Sequence, residues 1–290
     1  MAFAKAEAGW ELAEQLKDAQ PPIEPEEIAG PAGRFEAMFT RRAMAALVGI
    51  AMVGTLSTIG LQKIAAVDRH RTLIGEERAV RLPDGSLAHL NTDSAIEVMV
   101  KPGRRFVRLL RGEARFDVRA DPASPFVVQA SDTTLRALGT DFNVRLRPDL
   151  TELTVIEGSV AVRDREAPTR TVVDAGTVAA IRGGAVAVTA LERGQITRRT
   201  AWQTGVLTFD AEPLASAVEE FNRYRRAPIL LGNPQLAALP VQGTFRVGGS
   251  EAFLAAIASV HGVSAAHSPD GSIMLTAGRA KGGRNPASDR

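Results

Sequence analysis

The 290-residue chain contains no cysteine. That excludes disulfides, thiolate zinc sites, iron–sulfur clusters and cysteine nucleophiles. It leaves the compartment open, because an oxidising space tolerates cysteine-free proteins. Indole and phenol rings are scarce as well, with two Trp and one Tyr, which disfavours carbohydrate recognition on exposed aromatic platforms. The four histidines, His70, His89, His261 and His267, stand at no metal-ligand spacing with one another or with carboxylates. There is no G-x-S-x-G elbow, no P-loop and no dinucleotide fingerprint. The net charge of +2 is no footprint for nucleic acid. These gaps predict that the chain is not a metabolic enzyme, needs no cofactor or metal and binds no nucleic acid directly. The paired acids Glu219–Glu220 read as the solvated face of a helix, and His261, next to Gly262, as a helix C-terminal cap.

What is present starts with one long apolar run. Residues 43–61, "AMAALVGIAMVGTLSTIGL", carry no charge, and a helix of that length spans roughly 28 Å, close to the hydrocarbon thickness of a bilayer. A buried core helix is the bland alternative. A cleaved signal peptide fits less well, since its apolar region is shorter and its leader is not 42 residues with net charge −3. Arg41 and Arg42 directly before the run, against Lys63 after it, put the N-terminus on the cytoplasmic side by a modest margin; "TRR" also matches a weak twin-arginine export signal. The expected organisation is a single-pass membrane protein. It has a cytoplasmic tail (1–42), a transmembrane helix (43–61), two exported modules and a polar, glycine-rich tail (279–290) that is expected to be disordered.

The first exported module, 72–200, shows strand signals separated by turn signals and no useful helical period. In "RAVRLPDGSLAHLN" the segment Pro83-Asp84-Gly85-Ser86 predicts a hairpin turn. A glycine followed by an alternating strand recurs at Gly112, Gly139, Gly158 and Gly176, spaced 27, 19 and 18 residues apart. That irregularity argues against a strict solenoid and for an all-β domain, either a sandwich or a loosely coiled β-fold. In "RFDVR" Phe116 and Val118 should face the core and Arg115, Asp117 and Arg119 the solvent. The arginines at 104, 105, 108, 111, 115 and 119 read as a solvated strand face, with an acidic partner or lipid headgroups as the alternative.

After Trp202 the texture changes. Leu214, Ala217, Val218 and Phe221 make one helical stripe, with Pro213 in the first turn. Phe253, Ala256, Ile257 and Val260 make a second, with Ser250 as its N-cap and Gly262 as its stop. With strands at "GVLTF", "APILLG", "VQGTFRV", "VSAAH" and "SIMLTA", residues 201–278 predict a small two-layer α+β module in the order β-α-β-β-α-β-β. The strand Val241, Gln242, Gly243, Thr244, Phe245, Arg246, Val247 is the candidate edge on which a partner adds a strand.

One bond has chemical potential. A hydroxyl that follows a glycyl carbonyl can attack it, move the acyl group from nitrogen to oxygen and leave an ester open to hydrolysis. Gly139–Thr140 fits by residue type. The same dipeptide stands at Gly176–Thr177 and Gly243–Thr244, and a plain strand entry with Thr in a β-favouring position is the other reading.

The blocks "RAVRLPDGSLAHLNTDSAIEV", "RLLRGEARFDV", "PFVVQASDTTLRALGTDFNVR", "LTVIEGSVAV" and "AGTVAAI", in this order, resemble the FecR family of transmembrane anti-sigma regulators. "AWQTGVLTFDAEPLASAVEEFNRY" and the βα repeat after it resemble that family's C-terminal part, akin to the secretin/TonB short N-terminal domain. The resemblance runs from about residue 72 to 277. It implies an inner-membrane protein with two partners: an extracytoplasmic-function sigma factor on the cytoplasmic side, and the N-terminal signalling domain of a TonB-dependent outer-membrane transporter in the periplasm. The implied signal is typically an iron chelate. It also implies self-cleavage at Gly139–Thr140, since family members are described as cutting themselves in this "LGT" block. The family's cytoplasmic region is usually longer than 1–42 and carries a helical sigma-binding motif that 1–42 does not show. The alternative function is a membrane-anchored periplasmic glycan-binding or envelope scaffold protein.

Overall fold

The computed structural model describes residues 67–278 except 102, 167 and 168. The segments read above as cytoplasmic tail, membrane span and polar C-terminal tail lie outside the described residues. Among those described, no helix is long and apolar enough to cross a membrane.

Fourteen strands form two seven-stranded sheets. The first has the order β1 (Asp68–Arg71), β4 (Ala95–Lys101), β5 (Arg104–Arg111), β7 (Phe126–Ala130), β8 (Thr133–Ala137), β11 (Ser159–Asp164), β12 (Thr171–Asp174). The second runs β14 (Ala185–Ala190), β13 (Thr177–Arg182), β10 (Leu150–Glu157), β9 (Asp141–Arg147), β6 (Glu113–Asp117), β3 (Leu87–Leu90), β2 (Arg78–Arg81). Within these two sheets every pairing is antiparallel except β5 with β7. The chain shuttles between the sheets, mostly one hairpin at a time, so the sandwich and the loose coil are one and the same object.

The recurring glycines mark the corners of that coil. Gly112, Gly139, Gly158 and Gly176 each sit between the last strand of one sheet and the first of the other. At Gly112 φ is +80°, and a Cβ there would lie 2.7 Å from the Asp93 carbonyl oxygen and collide with Ser94. Only glycine turns that corner without strain. The Pro83–Ser86 reversal forms as expected, with Leu82 N–H donating to Ser86 O at 2.8 Å and Gly85 at φ +87°.

Alternation then does the packing. Phe116, Val118, Phe142 and Val144 are buried while Asp117 and Arg119 are exposed. Phe116 of the second sheet touches Phe126 of the first at 5.8 Å between ring centroids and Phe142 at 5.4 Å, and these rings lock the two inner faces together. Full burial of one such ring stabilises by about 3 kcal/mol.

One expectation fails in the connecting segment. The stretch to residue 200 is not free of helix: α1 (Arg193–Thr200) is followed by a 3-10 turn at Ala201–Thr204. "RGQITRRT" buries nothing and has no apolar stripe to read. Its start is held by the Gln195 side chain, which accepts from Glu192 N–H at 2.9 Å.

The C-terminal module has the expected order: β15 (Val206–Pro213), α2 (Leu214–Asn222), β16 (Ile229–Leu231), β17 (Pro240–Arg246), α3 (Ser250–His261), β18 (Val263–His267), β19 (Ile273–Ala277). Its strands divide into a β15–β17 pair and a three-stranded β16-β19-β18 sheet. The α2 stripe is buried as read. On α3 the N-cap is Gly249 rather than Ser250, and Val260 is 74% exposed, because the buried face runs through Ser250, Phe253, Leu254 and Ile257. Pro213 caps α2 from the end of β15 instead of lying in its first turn. Gly262 ends α3 at φ 66°, as expected.

Candidate functional site

Gly139 and Thr140 lie where β8 of the first sheet gives way to β9 of the second. The backbone on either side is fixed by the crossover loop: Asp121 N–H donates to Leu138 O at 2.9 Å and Val118 N–H to Thr140 O at 3.0 Å. Ala120 is pressed onto Gly139, where a Cβ would fall 2.7 Å from the Ala120 Cβ. Thr140 is 6% exposed, and its Oγ1 makes no hydrogen bond among the described residues. A buried hydroxyl without a partner is costly and uncommon. It sits one residue from the carbonyl that it would have to attack.

The loop over Gly139 is itself pinned by Arg105, which is 4% exposed. Its guanidinium donates to the carbonyls of Ser124 (2.6 Å), Arg119 (2.8 Å) and Asp121 (3.2 Å) and pairs with Asp84 at 3.3 Å. The reading of the arginine run as a solvated face therefore fails at this position. Arg108 and Arg111 do face solvent and pair with Glu97 and Asp93. Arg115 forms a two-pronged pair with Asp141.

The candidate partner strand, Val241 to Val247, is β17 without Pro240 and with Val247 added. It pairs along one side only, with β15, in register Leu207↔Phe245 and Thr208↔Thr244. Val241 is buried, and Gln242, Thr244 and Arg246 point outward, with Gly243 and Phe245 half-buried. Thus β17 is an edge strand, and it begins 100 residues in sequence after Thr140. Three of the histidines have local partners: His261 Nε2 lies 2.8 Å from the Pro240 carbonyl, which makes it a tie between α3 and β17 rather than a cap for its own helix. His70 lies against Asp68 and His267 against Glu251. Burial, followed by Arg115, pushes the His89 imidazole below its ordinary range.

Residues 68–161 match the family model described as FecR protein. Over that stretch the two-sheet module is similar to a FecR domain. Two crystal structures of an anti-sigma factor from Parabacteroides distasonis ATCC 8503, a role that is itself an assignment, share its architecture. At 1.65 and 2.50 Å resolution they align with TM-scores of 0.61 and 0.60 and 24% identity; each alignment covers 72% of this chain, and 99% and 98% of theirs. At that identity the likeness establishes the fold. No curated protein matches the chain.

The sheets of the FecR-like domain run on to Ala190, past the matched stretch. What sequence reading missed is the contact between its outer face and the C-terminal module. Of the paired acids, Glu219 keeps a solvated side chain, 62% exposed, and the solvated-face reading fails only at Glu220, which is half-buried. Glu220 meets Arg145 at 2.9 Å and Arg223 at 2.5 Å, and Glu219 meets Arg147 at 2.6 Å. Arg223 reaches the buried Glu113 carboxylate at 2.6 Å, which also accepts from Asn91 (2.9 Å) and Asn143 (2.8 Å), while Tyr224 OH donates to Asn91 Oδ1 at 2.9 Å. Burial alone would raise the Glu220 pKa, but Arg223 and Arg145 outweigh it and hold the carboxyl below its ordinary value of 4.5. Burial likewise works against the Arg223 charge, and Glu113 and Glu220 overcome it, so its pKa rises. Burial pushes the Tyr224 hydroxyl up. Beside this network lies a polar cleft of about 330 Å³ bordered by Asn143, Arg145, Arg199, Trp202 and Glu219. The only sequence signal for the network was the outward half of β9: Asp141, Asn143, Arg145 and Arg147 alternate with a core face, and such a row suits an interface as well as it suits water.

Proposed function

We propose that the chain is an anti-sigma signal transducer. In this reading it relays the state of a TonB-dependent outer-membrane transporter, loaded with an iron chelate, to an extracytoplasmic-function sigma factor. The observation that carries the reading is the FecR match over 68–161, supported by the shared fold of a protein assigned as an anti-sigma factor. The 43–61 run crosses the inner membrane, 1–42 faces the cytoplasm and the sigma factor, and the described modules face the periplasm. The C-terminal module, akin to the secretin/TonB short N-terminal domain, receives the transporter's signalling domain on the open edge of β17, where main-chain groups are available for strand addition. The chain carries a message and turns over no substrate.

Titrating the full-length protein with the signalling domain of a transporter encoded beside it should give saturable binding. Thr244→Pro, which removes a donor from β17, should weaken that binding at least about tenfold. Absence of binding by the wild type would sink the receiving role. A reporter fused after Gly278 should be active only outside the cytosol.

We further propose that the chain cuts itself once. Thr140 Oγ1 attacks the Gly139 carbonyl carbon, the C–N bond breaks as the Thr140 amine takes up the hydroxyl proton, and water hydrolyses the resulting ester and restores the hydroxyl. The unpartnered Thr140 hydroxyl supports this. Wild type should run as two fragments and Thr140→Ala as one full-length band; identical bands would end the idea.

A further inference from the structure

The outward face of β9 is committed along its whole length, directly or through one neighbour on β6. All four of its outward residues belong to the contact with the 3-10 turn and the C-terminal module. Asp141 holds Arg115, whose Nη1 donates to Gln203 Oε1 of the 3-10 turn at 2.5 Å. Asn143 holds Glu113 against Arg223, Arg145 meets Glu220 and Arg147 meets Glu219. The inward residues Phe142 and Val144 belong to the sealed core. β9 is also the middle strand of its sheet, and the residue before it is Thr140.

This contact is built to be separable. It is held by charges and hydrogen bonds, whereas each module closes its own apolar core. Three buried polar atoms at this junction, Asn143 Oδ1, Trp202 Nε1 and Gln203 Nε2, have no hydrogen-bond partner among the described residues. Each such group is destabilising while buried without a partner, and opening the cleft to water relieves that. The β9–β10 ladder is irregular at the head of β9, where the register shifts opposite Asp141, between Val155 and Glu157.

We propose that β9 is a lever: docking of the C-terminal module on its outer face holds the Gly139–Thr140 segment closed, and release of that module loosens it. The Gln203–Arg115–Asp141 chain is the last link, one residue from Thr140. The proposal concerns the conformation of the segment. It goes beyond the signalling reading and stands whether or not the bond is ever cut or a transporter ever binds.

Amide hydrogen exchange on the full 290-residue chain, with Thr140→Ala as the background so that cleavage plays no part, tests it. Glu220→Gln removes the charge that Arg145 and Arg223 share. It should speed exchange about tenfold or more in 214–224 and in 138–142, with 126–137 unchanged. If 214–224 opens and 138–142 does not, there is no lever. If neither changes, the contact is no latch; if 126–137 accelerates equally, the whole FecR-like domain has loosened and the proposal fails. Should Glu220→Gln fail to fold, Gln203→Ala cuts only the last link and is expected to speed exchange in 138–142 while leaving 214–224 protected; unchanged protection at 138–142 in that variant overturns the proposal.

Discussion

The FecR-like domain and the C-terminal module solve burial in different ways. The first spreads small and β-branched side chains over two broad inner faces, with Val107, Val128, Val144, Val155 and Val160 all fully buried and only three phenylalanines between them. The second gathers Phe209, Phe221, Phe245 and Phe253 into one cluster under two helices, with Phe221 and Phe253 stacked at 4.3 Å. A sandwich fixes the gap between its faces, so β-branched side chains fill it in layers. Short helices over small sheets leave a deeper and less regular space, which large rings fill with fewer residues. Between these two dry interiors lies a charged junction. A self-sufficient core on either side is what allows the junction to be polar.

That contrast can be broken where it is strongest. Phe142→Ala leaves a cavity between the two sheets and should destabilise the FecR-like domain by about 3–5 kcal/mol. Denaturant unfolding should then show two transitions, with the C-terminal module melting at its wild-type midpoint; loss of both together would mean that the cores are not independent. A smaller effect is expected at the junction on acidification. The Glu220 pKa is lower in the folded protein than in the unfolded chain, so its contribution is fully present above the unfolded value of 4.5 and fades as pH falls through the folded value. The cleft should therefore open below about pH 4.5, read as a rise in fluorescence quenching of Trp202 by a soluble quencher, before either core unfolds; in Glu220→Gln that component should be absent. The smallest effect is expected at Thr140→Val. Replacing an unpartnered buried hydroxyl with a methyl group of similar shape should change stability by less than about 0.5 kcal/mol or raise it slightly. A loss of about 2 kcal/mol or more would show that the hydroxyl has a structural partner.

Much of the fold was legible in the residues. Period-two alternation in 113–118 and 141–146, the Pro83–Ser86 turn and the Leu214–Phe221 stripe each depend on neighbours within a few positions, and each appears in the structure. α1 escaped because "RGQITRRT" packs nothing. Val260 was misplaced on α3 because Leu254 competed for the same face and won it.

The sequence by itself determined where strands and helices form and which of their faces are apolar, because solvent exclusion acts on every apolar side chain wherever the chain goes. It also determined that glycines stand at the corners, because backbone sterics are local. Only the tertiary structure decided the fate of the polar faces. Arg105 became a buried clamp, and Glu219, Glu220 and the outward row of β9 became a junction, through partners 72 to 133 positions apart at its extremes. A charged side chain is equally content in water and against an opposite charge that cancels its loss of water, and nothing in its own segment says which it will meet.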